Sequence, residues 1–84
     1  MSIAIKKLSD DVFEVTVVEI STTAHTVTIS DKSLNDLADK KVTKTQLLEF
    51  SFKFLLDREP NTSILSSFDI NVISRYFPDY RDEV

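Results

Sequence analysis

The chain has no glycine, no cysteine and no tryptophan, and only two prolines among its 84 residues. Without glycine, neither a P-loop nor a dinucleotide-binding turn can form, because both bring backbone closer to phosphate than a Cβ permits. Nucleotide enzymes of those kinds are excluded, and every turn falls to Asp, Asn, Ser, Thr or Lys. Without cysteine there are no disulfides and no thiolate metal sites. No apolar run approaches the ~18 residues that a membrane span needs. The amino end, Met1-Ser2-Ile3-Ala4-Ile5-Lys6-Lys7, sets its charges after its apolar residues. That reverses the order of a secretory leader, so a soluble cytoplasmic protein is expected.

The formal net charge is -4, with acidic ends and a balanced middle. General attraction to nucleic acid or anionic lipid is therefore not expected. A local exception is a candidate basic patch of Lys40, Lys41 and Lys44, with Lys53 further on, diluted by Asp36 and Asp39. It reads either as a solvated basic spot or as an anion contact.

What is present is a core. With 42% hydrophobic and 29% charged residues the composition is globular, and the length is that of one small domain spanning 1–84. Between Leu47 and Tyr80 lie all but one of the six Phe and both Tyr, the largest apolar units available for packing.

Residues 12–20 and 25–30 alternate with period 2. Phe13, Val15 and Val17 share a face with His25, Val27 and Ile29, and Glu14, Thr16, Thr26 and Thr28 take the other. This predicts an antiparallel hairpin with one wet face, turning near Ser21-Thr22-Thr23. A strand from Ile3 to Leu8 precedes it. A two-residue loop at Asp10-Asp11 would put Ile3 and Ile5 on the Thr16 face. A three-residue loop puts Ile3 opposite Val17 and Ile5 opposite Val15. Burial favours the longer loop, since a one-residue slip reverses every side chain.

After Ser30 the period changes. Ser30 or Asp31 can cap a short helix carrying Leu34, Leu37 and Ala38. Thr43 and Gln46 form a capping-box pair opening a longer helix over 43–58. Its apolar residues, Leu47 to Leu56, cover roughly two thirds of the circumference. The polar stripe offers Glu49–Lys53 and Lys53–Asp57 as i,i+4 pairs. An arc this wide needs cover on two sides, one from the sheet and one from the C-terminal segment or a second subunit. Pro60 ends the helix. Asn61 or Thr62 can cap a helical turn bearing Ile64, Leu65 and Phe68. Asp69 is the expected cap of a last helix with Ile70, Val72, Ile73, Tyr76 and Phe77 on one face. Pro78 stops it, and 81–84 reads as a frayed tail. The expected fold is α+β: an antiparallel hairpin or three-stranded meander over 1–30, then three to four short helices over 31–84 packed on one sheet face.

Chemistry-bearing residues are sparse. His25 is the sole histidine, and Glu19 shares its face, but no second base or serine is placed to make a relay. A metal would find only carboxylates beside it. The carboxylate pairs Asp10-Asp11, Asp57 with Glu59, and Asp82-Glu83 sit at turns and tails, where general acid–base work is not favoured. No catalytic residue, cofactor or metal is predicted. Arg58, Glu59, Asp69, Arg75 and Tyr76 stand out as charges and an aromatic at a helix–helix corner. Arg58 could bridge Asp69 or helix-end carbonyls, and Glu59 could accept from amides of the next turn. These residues form either a corner lock or a groove for a partner.

From Ser51 to Pro60, then at Ser63-Ile64-Leu65, Phe68-Asp69-Ile70, Val72-Ile73 and Tyr76-Phe77-Pro78, the chain resembles a small family of uncharacterised bacterial proteins. The strand His25 to Ser30 also fits that pattern. The resemblance implies a fold and brings over no activity and no catalytic residue. A non-enzymatic protein-interaction or structural module, monomeric or a homodimer, is the leading expectation. A nucleic-acid-associated regulator using the Lys patch is the alternative.

Overall fold

A computed structural model describes residues 2–38 and 42–83. The elements run β1 (Ser2–Lys7), β2 (Val12–Val18), β3 (Thr22–Thr28), α1 (Asp31–Ala38), α2 (Lys44–Leu56), a 3-10 turn (Asn61–Ser63), β4 (Ser67–Asp69), α3 (Val72–Tyr76) and α4 (Tyr80–Glu83). This is a small α+β fold. One four-stranded sheet, in the order β1-β2-β3-β4, carries the helices.

The meander forms in the register that burial demands. Ile3 pairs with Val17 and Ile5 with Val15, and Val15 pairs in turn with His25 and Phe13 with Val27. The longer loop therefore holds, closed by Leu8 N–H donating to the Val12 carbonyl at 2.9 Å. Phe13, Val15, Val17, Val27 and Ile29 are buried on one face. Thr16, Thr26 and Thr28 stand on the other and are only half-buried. The second turn lies earlier than expected, at Glu19-Ile20-Ser21. Thr22 and Thr23 are β-branched and extend the ladder opposite Val18 and Val17 instead of turning. Ile20 is left fully exposed at the tip.

Ser30 caps α1, its Oγ accepting the Ser33 N–H at 3.1 Å. The capping box at Thr43 and Gln46 forms, with Gln46 N–H donating to Thr43 Oγ1 at 3.1 Å and Thr43 N–H to Gln46 Oε1 at 2.9 Å. α2 then lies on the sheet. Phe52 packs against His25 and Phe68, ring centroids 5.5 Å and 6.2 Å away. Its other side is met by Tyr80 and Phe77, 5.2 Å and 5.9 Å from the Phe54 ring. The wide apolar arc thus finds both of its covers inside one chain, and α2 itself gives no reason for a second subunit.

The C-terminal half departs most from expectation. The helical turn after Pro60 is only the 3-10 turn Asn61–Ser63, closed by the Ile64 N–H on the Asn61 carbonyl at 3.2 Å; Leu65 lies beyond it, and Phe68 sits in a fourth strand that runs parallel to β3. A helix-like i,i+4 spacing loses here because the outer edge of β3 needs partners. Thr26 N–H donates to the Ser66 carbonyl at 2.8 Å, and Ile70 N–H donates to the Thr28 carbonyl at 2.9 Å. With the Ile70 amide so engaged, α3 starts later and Asp69 does not cap it. Asp69 Oδ1 instead accepts from the Asn71 backbone N–H at 2.9 Å. α3 ends before Pro78, as expected. Residues 81–83 are not frayed: they continue the α4 turn that Tyr80 opens, held by Arg58. Val84 lies outside the described residues.

Candidate functional site

Two polar side chains, both buried, tie the segment after α2 to the tip of the hairpin. His25 Nδ1 lies 2.7 Å from the Leu65 carbonyl, which can only accept, so Nδ1 carries the proton. Nε2 lies 2.8 Å from the Thr23 hydroxyl. Asn61 Nδ2 donates to the Ser21 carbonyl at 2.8 Å and to Thr23 Oγ1 at 3.0 Å. Glu19, which the alternation sets on the His25 face, does not pair with it. Glu19 is in the turn and exposed, while His25 has both nitrogens occupied. Asn61 acts as a strap across the hairpin tip and does not cap a helix with its side chain.

That strap fixes one wall of an open apolar groove of about 270 Å³ between the end of α2, the 60s segment and α3. Leu55, Ile64, Phe68, Val72 and Phe77 form much of its lining, with Leu65 and Tyr76 beside them. Leu65 and Tyr76 are 49% and 69% exposed, although they sit next to the core. Glu59 also lines the groove. It is half-buried, and no ion pair or side-chain hydrogen bond from a described residue reaches its carboxylate. The expected bonds from Glu59 to the next turn are not made. The volume is below that of sites for drug-sized ligands and has room for one or two side chains.

Arg58, next in sequence, points elsewhere. Its guanidinium lies 3.6 Å over the Phe54 ring. Nη1 donates to the Phe54 carbonyl at 3.1 Å, and Nη2 donates to Glu83 at 2.9 Å with Asp79 at 3.6 Å. The helix-end carbonyl was expected; the Asp69 bridge is not formed, because Asp69 lies in β4 and is engaged with Asn71. Arg75 is exposed and pairs with no described residue. Of the five corner residues, only Glu59 and Tyr76 meet at the groove. Leu65, Phe68, Val72 and Phe77 were not anticipated as its lining. Leu65 carried one signal: it stands beside Ser66-Ser67, a polar setting for a large apolar residue.

Ser51 on α2 and Tyr80 on α4 form a buried pair. Ser51 Oγ donates its single proton to the Leu47 carbonyl at 2.6 Å, so the Tyr80 hydroxyl donates to Ser51. Burial pushes the Tyr80 phenol above its ordinary range, and the adjacent Ser51 hydroxyl opposes that shift.

Of the candidate basic patch, Lys44 and Lys53 are among the described residues. Lys40 and Lys41 lie outside the described residues. Lys44, its side chain 13% exposed, is 2.8 Å from Asp11 and 3.1 Å from Asp31, and donates to the Asp10 carbonyl at 2.7 Å. Its pKa is raised: the hydrogen bond to Asp11 is the largest influence, burial opposes it, and Asp31 adds to the rise. Lys53 is exposed, and neither i,i+4 pair closes to ion-pair distance, as is common for long side chains in water. No group of His, Asp and Glu among the described residues is arranged to hold a metal ion. No helix of the described residues is long and apolar enough to cross a membrane.

No family model matches the chain, and no curated protein and no solved structure matches it either.

Proposed function

We propose that this chain is a small non-catalytic interaction module that receives a protein partner in the groove between α2 and α3. The observation that carries this reading is the Leu65–Tyr76 opening. Among the described residues fifteen apolar ones are buried in a continuous core, yet these two large side chains remain in water around a groove that the C-terminal turn does not close. Exposed aromatic and aliphatic residues rimming a pocket are the usual anchors of interfaces. The histidine supports the non-catalytic part, since both ring nitrogens serve the wall of the groove.

A photo-crosslinking side chain at position 76, in the protein expressed in its own host cell, tests this. A discrete adduct is expected from position 76 and none from position 24 on the far sheet face. Leu65→Asp should abolish the adduct while changing unfolding free energy by no more than about 0.5 kcal/mol, as for a surface change. Equal labelling from both positions, or none from 76, removes the reading.

A further inference from the structure

The groove lies directly under a free strand edge. β4 is the last strand of the sheet, and the pattern of its bonds to β3 fixes which of its backbone groups are left over. Thr26 takes the Ser66 carbonyl, and Ile70 donates to Thr28. In a parallel ladder the residues facing the neighbouring strand alternate, so Ser66, Phe68 and Ile70 turn their backbone to β3. Ser67 and Asp69 turn theirs outward. Both residues are exposed. Phe68 pairs with Val27, a core residue, so its side chain lies on the helix-bearing face, where it lines the groove. The opposite edge, β1, carries Lys6 and Lys7, and the cavity that reaches it at Lys7 is lined mainly by polar and charged residues, among them Asp10, Asp31, Thr43 and Lys44.

Resting on the groove reading above, we infer that the partner is an extended peptide segment added as a strand to β4, with a large apolar residue and a Lys or Arg two positions apart. The backbone N–H and C=O groups of Ser67 and Asp69 supply the hydrogen bonds of strand addition. The apolar residue opposite Phe68 shares its face and enters the groove. The next side chain on that face is two residues away. The charged side chain lining the groove is Glu59, whose carboxylate has no cation among the described residues. Neighbouring Arg58 is already committed to Glu83 and Asp79. The charge complement of an apolar groove with one open carboxylate is an apolar residue accompanied by a cation.

The test is selection of a phage-displayed random decapeptide library on the full chain, followed by synthesis of the enriched peptides. Peptides with an apolar-x-basic or basic-x-apolar pattern are expected. Their binding should slow amide exchange at Ser67 and Asp69, and should vanish when the peptide backbone is N-methylated opposite β4. Glu59→Gln should weaken binding about two- to fivefold, as for a partly exposed ion pair, and Leu65→Asp should eliminate it. Peptides that shift Leu65 and Tyr76 resonances without protecting Ser67 and Asp69 overturn strand addition while leaving the groove reading standing. Failure to enrich any groove-binding peptide overturns the inference, and the crosslinking experiment then judges the groove independently. A solution mass that rises with concentration, together with loss of that rise in Leu65→Asp, names a second copy as occupant and also overturns it.

Discussion

The two ends of α2 are built differently. At its amino end a capping box closes the first turn, and Lys44 gathers Asp11, Asp31 and the Asp10 carbonyl from two other parts of the chain. Charge there is matched by charge, and the lysine is largely covered. At its carboxyl end Arg58 anchors α4, and Tyr80 fills the space beneath, but the neighbouring carboxylate of Glu59 and the apolar rim of Leu65 and Tyr76 have no counterpart in the described chain. One end is finished as structure. The other is held in shape by buried groups and left incomplete at its surface, which is where recognition has something to gain.

The comparison breaks most visibly at Tyr80. Tyr80→Ala removes a fully buried aromatic from the carboxyl end and should cost about 3–5 kcal/mol in urea unfolding. Tyr80→Phe, which loses only the donor to Ser51, should cost about 1 kcal/mol. If Tyr80→Ala cost no more than a change at Lys44, the two ends would be equivalent and the contrast wrong. His25→Leu comes next. It strands the buried side of the Leu65 carbonyl and should cost about 1–3 kcal/mol, with faster amide exchange along 61–66 and unchanged exchange near Lys44. Uniform acceleration would show that His25 supports the whole core and not that wall.

Lys44→Met should have the smallest effect at neutral pH, below about 1 kcal/mol. Its signature lies in alkali. A lysine whose folded pKa is raised contributes stability that is complete below its unfolded pKa and fades as pH rises through the folded one. Tyr80, also raised, acts in the same direction. The native protein should lose stability above about pH 10, and Lys44→Met should lose less over the same range. An identical alkaline slope in Lys44→Met would assign the whole effect to the carboxyl end.

The amino-terminal half was legible because its signals are local. Period-2 alternation and the choice between two loop lengths set the meander register, and Thr43 with Gln46 announced the start of α2. The carboxyl half was not, because its structure answers distant demands. β4 exists to satisfy the edge of β3, and Asn61 is where it is because the hairpin tip offers a carbonyl and a hydroxyl. Arg58 chose Glu83, which the sequence places in a tail that only becomes a turn once Tyr80 is buried. Of the groove, Glu59 and Tyr76 were visible as residues out of place, but their convergence with Leu65 and Phe68 depends on a strand that no local pattern indicates.

The parallel pairing of β3 with β4 also sets an order of events. The meander closes through short loops, whereas β4 reaches β3 only after α1 and α2 have been laid between them, so the entropy of that long closure is met before its few hydrogen bonds return anything. The β4 edge is therefore expected to be the last part of the sheet to assemble and the first to come apart. A segment added there, as proposed, would act on the protein's lifetime as well as its contacts, by holding β4 against β3.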